Sequence, residues 1–172
     1  CLLIVASLVF GSSAWGQTKT TKTIFSETFA KCDGTGGNDG TWKGITTTPA
    51  ISADNTGWTN VIGYGASNCA RFGTKSAVGS ATTPQLNFTG DATLTFRAGA
   101  WSGDKTTLKL SISNGTLSAT TVTMKSGAFS EYTINITDVT AKPTITFEGE
   151  AAKSSRFFLD DVVVTQATTS GG

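Results

Sequence analysis

The sequence predicts an all-β domain: a two-sheet antiparallel β-sandwich of jelly-roll type. Three observations lead there. No segment from Gln17 onward has helical periodicity, whereas Val, Ile, Phe and Thr alternate with polar residues, the period-two signature of half-buried strands. Threonine, which suits a pleated surface, is abundant throughout. Turn residues recur roughly every 8–12 positions, as in sandwiches with many short strands. The 172 residues suffice for one domain with one core.

Residues 1–16 (CLLIVASLVFGSSAWG) stand apart. An apolar run, 2–10, precedes small residues and an A-x-G cleavage pattern, Ala14-Trp15-Gly16. No Met or basic stretch comes before it, so a signal peptide truncated at its start is expected. The run is shorter than the ~20 apolar residues a membrane span needs. Cys1 has no lipobox before it and is not read as a lipid anchor.

The domain proper is expected over 17–166. A first strand, 23–29 (TIFSETF), leads into a long Gly-rich loop, 31–41 (KCDGTGGNDGT). Short strands follow at 58–63 and 68–72, and Pro84 opens a strand over 84–88. In 92–101 (ATLTFRAGAW) Leu94, Phe96 and Ala98 share a face. The turn Ser102-Gly103-Asp104 makes 106–113 a hairpin partner with Leu108, Leu110 and Ile112 inward. Asn114-Gly115, the strongest short hairpin dipeptide, comes next. Strands at 120–124, 131–136, 143–147 and 156–165 complete about ten. Residues 167–172 (ATTSGG) read as a linker or truncated tail.

The motif order FSETF, TGGNDGTW, ADNTGW, CARFGT, GSATTPQL, LTFRAGAW, KTTLKLSIS and RFFLDDVVV resembles secreted surface jelly-roll domains of Bacteroidetes-type bacteria. These are galactose-binding-like domains, similar to carbohydrate-binding modules and to the choice-of-anchor class. The resemblance implies pairing of first and last strands beside a structural calcium ion. It places the calcium ligands at Glu27 and at Asp160 or Asp161, with Asp161 preferred; Asn38 and Asp39 of the Gly-rich loop would complete them. Calcium takes six to eight oxygen ligands, which such a loop supplies. The spacing is not that of an EF-hand, and a solvated glycine turn is the plainer reading.

Strict alternation puts Phe157, Leu159 and Asp161 on one face and Phe158, Asp160 and Val162 on the other. Both faces are apolar, so at least one carboxylate is drawn inward. It then needs a metal or a cation, Arg97 or Arg156. Trp42, Trp58 and Trp101 are candidate sugar platforms, with Asp104 as a hydrogen-bonding edge; core packing is the competing role of each tryptophan. Trp101, at a hairpin tip, is expected to be the most exposed. Cys32 and Cys69 are expected to be bridged in an oxidising compartment, the alternative being two buried thiols that never meet.

Several function classes fall away. The chain has no histidine, which excludes the usual Ser-His and Cys-His triads and His-based zinc sites. Charged residues are 15% and the net charge is +1, which gives no electrostatic reason to expect nucleic acid or an anionic membrane. Glu131, Glu148 and Glu150 are available for two-carboxylate glycoside hydrolysis, but solvated edge charges are the plainer reading. Asn87, Asn114 and Asn135 sit in N-x-[ST] sequons, unsurprising in a Thr-rich chain. The expected function is a non-catalytic, secreted or cell-surface binding module for a glycan or surface polysaccharide. The alternative is a structural or adhesive spacer of a larger surface protein.

Overall fold

The computed structural model describes residues 19–169; the expected signal segment 1–16 lies outside them. The order is β1 (Lys19–Glu27), β2 (Thr59–Val61), β3 (Gly63–Ala66), β4 (Cys69–Phe72), β5 (Ser80–Thr82) and β6 (Gly90–Ala100). Then come β7 (Thr107–Ile112), β8 (Thr116–Leu117), β9 (Thr121–Thr123), β10 (Ser130–Val139), β11 (Ile145–Gly149) and β12 (Phe157–Thr169). They build two antiparallel sheets. The larger runs β3-β4-β12-β6-β10-β8 with β1 added to β12, and the smaller runs β2-β5-β11-β7-β9. The expected all-β sandwich is what forms.

From β6 to β12 the chain alternates between the sheets at every step. Among the described strands, β3 and β4 alone are consecutive and in one sheet. The expected 92–101/106–113 hairpin is therefore not made. β6 pairs with β12 and β10, whereas β7 pairs with β11 and β9. The turn at Gly103 is an arch that carries the chain across the sandwich. The reason is the apolar faces: Leu94, Phe96 and Ala98 on β6 meet Leu108 and Leu110 on β7 across one core.

Two more expected strands differ. Residues 58–63 split into β2 and β3, in different sheets, with Ile62 at φ 51° as the corner. Such a conformation is rare for a β-branched residue. Residues 84–88 form no strand. Pro84 has no N–H to donate, and Leu86 instead donates its backbone N–H to Pro143 O at 2.8 Å. β12 also runs through 167–169, read as tail from the sequence, where it pairs with Lys19–Thr21 of β1.

β12 is the spine. Along one edge, Phe157–Leu159 pair with β4 and Val162–Thr169 pair with β1. Its other edge pairs with β6 from Phe157 to Thr165, interrupted by a bulge between Asp160 and Val163. Asp161 sits at φ 47° in that bulge. The extra residue shifts the alternation, so Phe157, Leu159, Val162 and Val164 all face the core. Phe72–Phe157 and Phe96–Phe147 ring contacts, with centroids 5.1 and 5.0 Å apart, fill its centre.

Candidate functional site

The loop between β1 and β2 does two jobs. Its first half covers the outer face of the large sheet, where Phe158, Cys69, Ala66 and Trp101 form a second buried cluster with Trp42, Ile45 and Phe129 against it. Glycine is required for that approach. A Cβ on Gly36 would lie 2.7 Å from the Phe158 ring, and one on Gly37 would lie 2.6 Å from Cys69 Sγ. Asp39 staples the turn itself, accepting from Gly36 N (3.0 Å) and Thr41 N (2.8 Å).

The second half closes the sandwich edge by wrapping Glu27. This carboxylate is fully buried. Its Oε1 accepts from the N–H groups of Phe29 and Asp54, and its Oε2 from Asn55 N, Asn55 Nδ2 and Trp58 Nε1, at 2.8–3.0 Å. Five donors satisfy both oxygens. The implied calcium set does not fit this arrangement. Glu27 is surrounded by N–H donors, Asp39 is committed to its turn, and Asp161 faces a cation. Among the described residues no three Asp, Glu or Cys side chains gather as a metal cluster.

Asn38 and Asp161 do come together, around Asp160 and Arg97. Asp160 is the carboxylate drawn inward, and Arg97 is its cation. Arg97 Nη1 lies 3.0 Å from Asp160 Oδ2 and 3.4 Å from Asp161 Oδ2. Asn38 Nδ2 donates to Asp160 Oδ2 at 2.9 Å, and Asp161 N donates to Asp160 Oδ1 at 2.9 Å. The Arg97 guanidinium lies over the Phe129 ring, 4.4 Å from its centroid. Burial raises the Asp160 pKa, a shift opposed by Asn38 and Arg97. The Asp161 side chain is 48% exposed and that of Arg97 33%, so the cluster opens to solvent.

Beyond it the outer face of the large sheet lies open. Thr93, Thr95, Glu131, Thr133, Asn135 and Thr165 are exposed or half-buried there. A shallow depression of about 270 Å³, lined by Thr93, Asn135, Thr137 and Ala167 among others, sits at its far end. Glu131 pairs across from Arg97 on this face, whereas Glu148 contacts Lys109 at 2.7 Å on the other sheet and Glu150 lies in a loop. The three do not converge.

The expected sugar platforms are packed. Trp101 is buried, its ring 6.3 Å from Phe158 and 4.0 Å from the Arg156 guanidinium. Its exposure was expected from a hairpin tip, and the arch puts it beneath the loops instead. Asp104 is buried in an ion pair with Arg156, at 2.7 and 2.8 Å. Trp58 packs on Phe29 and holds Glu27. Trp42 is half-buried between Phe129 and Phe158.

The expected disulfide is not formed. Cys32 and Cys69 are free, buried thiols. Cys32 Sγ sits against Ser52 N and O at 3.4 and 3.5 Å, in the main core, while Cys69 Sγ faces Gly36 O in the outer cluster. Burial pushes the Cys69 thiol up to about 12 and raises that of Cys32.

No family model matches the chain, and no curated protein matches it. Solved structures do share the fold. The chain is similar to the K3 cleaved adhesin domain of Lys-gingipain from Porphyromonas gingivalis, with TM-score 0.55 and 14% identity over 85% of this chain and 99% of that one. It is also similar to the CBM22-1 xylan-binding domain of Paenibacillus barcinonensis Xyn10C, with TM-score 0.56 and 10% identity over 90% and 99%.

Proposed function

We propose that this protein is a non-catalytic, extracellular binding module that holds a polysaccharide chain across the open face of its large sheet. The observation that carries this is the Asn38–Arg97–Asp160–Asp161 cluster. A buried carboxylate fixes a guanidinium and an amide, and a second carboxylate remains half in solvent beside a sheet face covered in hydroxyls. Such a preorganised donor and acceptor set matches sugar hydroxyls. The xylan-binding domain and the adhesin domain of similar fold support the class and its extracellular setting.

Titration calorimetry against soluble xylan and other neutral glycans tests it. Binding is expected to weaken about tenfold in Asp161→Asn, which keeps the bulge conformation, the loss of a charged hydrogen bond being worth ~1.5 kcal/mol. Thr133→Trp, in mid-face, is expected to block binding sterically. A second reading, an adhesive spacer with no glycan ligand, is favoured by one feature: Trp42, Trp58 and Trp101 are all engaged in packing. Failure of every neutral glycan to bind selects it.

A further inference from the structure

The near-neutral net charge conceals a strong separation of charge. β6 ends at Ala100, which pairs with Phe157 at the start of β12, and Phe157 pairs with Phe72 at the end of β4. Thr107 of β7 pairs with Thr123 of β9. The loops 73–79, 101–106, 124–129 and 150–156 therefore leave the sandwich at one end. Backbone hydrogen bonds stitch them into a floor. Lys105 N donates to Ser154 O (2.7 Å), Ser154 N to Lys75 O (3.0 Å), Ala100 N to Lys125 O (2.9 Å) and Ser102 N to Trp42 O (2.9 Å).

Lys43, Lys75, Lys105, Lys125 and Lys153 all sit on this floor, and all are exposed. None is in an ion pair among the described residues. Beneath them Arg71 and Arg156 flank Trp101, 5.5 and 4.0 Å from its ring centroid. Asp104 neutralises Arg156. Arg71 has no carboxylate. It is 4% exposed, donates Nη2 to Thr47 O at 3.0 Å, and its buried Nε has no partner. This end thus holds seven of the 13 Lys and Arg residues but only Asp104 and Glu150 of the 12 Asp and Glu, an excess of five positive charges. The remaining six cations and ten carboxylates leave the rest of the chain at an excess of four negative.

A buried guanidinium without a counter-ion is costly unless the surface above it supplies negative charge. We propose that this loop end is a docking surface for an anionic polysaccharide. The surface fits that partner better than other polyanions. The lysines rise from five separate loops and form no stripe, and Trp101 is buried, so no aromatic platform is offered for bases. Val61 is the lone exposed large hydrophobic among the described residues, too little for a membrane wedge. A polymer carrying acid groups along its length needs only distributed, flexible positive charge. The surface is separate from the Arg97 face and does not rest on the reading of that face.

Affinity electrophoresis through gels containing polygalacturonate, or neutral dextran as control, tests the proposal. The native protein is expected to be retarded by polygalacturonate and not by dextran, with affinity falling steeply as salt rises. Lys75→Gln/Lys105→Gln/Lys153→Gln is expected to lose at least about tenfold in affinity, and its log–log salt dependence to flatten by about one per lysine removed. Lys22→Gln/Lys142→Gln, away from this end, is expected to bind as the native protein does. All five substitutions are on exposed side chains. No retardation at low salt overturns the proposal, as does equal loss in the two variants. Tighter, equally lysine-dependent binding to duplex DNA or anionic vesicles overturns it too. Binding of neutral glycans at the Arg97 face is indifferent to these lysines, so the two readings fail separately.

Discussion

Glu27 shows how one side chain sets a region. The FSETF motif marks it in the sequence, and its expected role was metal ligation. The structure gives it the opposite chemistry, an anion received by five N–H donors. Nothing in the sequence distinguishes a carboxylate that awaits a cation from one that awaits backbone amides, because the amides are anonymous. Glu27→Ala is expected to cost at least about 3 kcal/mol, since it strands buried donors. Calcium or EDTA is expected to leave the unfolding midpoint unchanged. A calcium-dependent rise of several degrees would restore the metal reading.

Asp160 makes a second prediction at this scale. Burial raises its pKa above the ordinary 3.8, so the folded protein holds this proton more tightly than the unfolded chain does. Ionisation of Asp160 therefore costs stability at neutral pH, and that cost disappears as pH falls through the raised value toward 3.8. Native stability relative to Asp160→Asn is expected to increase over that window, measured by thermal unfolding at a series of pH values. A difference that is flat or falls on acidification refutes the shift. The pairing with Arg97 was among the sequence expectations, because an apolar strand carrying two carboxylates requires a compensating cation.

At the scale of elements, strand identity was legible but connectivity was not. Alternation located β6, β7, β10, β11 and β12 within a few residues. It could not say that each turn between them crosses the sandwich, since a Gly-containing arch and a Gly-containing hairpin read alike. The bulge in β12 was equally hidden. Strict alternation would put Asp161 in the core, whereas the extra residue restores Val162 and Val164 to it. Deleting Asp161 removes the extra residue and leaves a regular strand with Val162 and Val164 still facing the core, so this variant is expected to fold, losing only the Arg97–Asp161 contact. Asp161→Gly, compatible with φ 47°, is expected to fold with a stability within about 1 kcal/mol of the native protein. Circular dichroism of the two variants decides it, and an unfolded deletion variant would show that the bulge itself is required for the strand to pair.

At the scale of the molecule, net charge hides distribution. A net charge of +1 gives no electrostatic reason to expect nucleic acid or an anionic membrane, and the sequence does not show that lysines scattered over five loops meet at one end of the fold. The core was legible in outline, because apolar residues on alternate positions have to face one another. What holds the sheets together is visible at Phe96 and Phe147, one from each sheet, in an edge-to-face contact at 72°. Since every connection from β6 to β12 crosses between the sheets, neither can unfold while the other stands. Thermal unfolding is therefore expected to be one transition, with equal calorimetric and van't Hoff enthalpies. Phe96→Ala and Phe147→Ala are each expected to cost about 3–5 kcal/mol. Together they are expected to cost less than the sum by about 0.5–1.5 kcal/mol, the worth of the ring contact beyond its burial. Two separated transitions, or strict additivity, would mean that the sheets do not share one core.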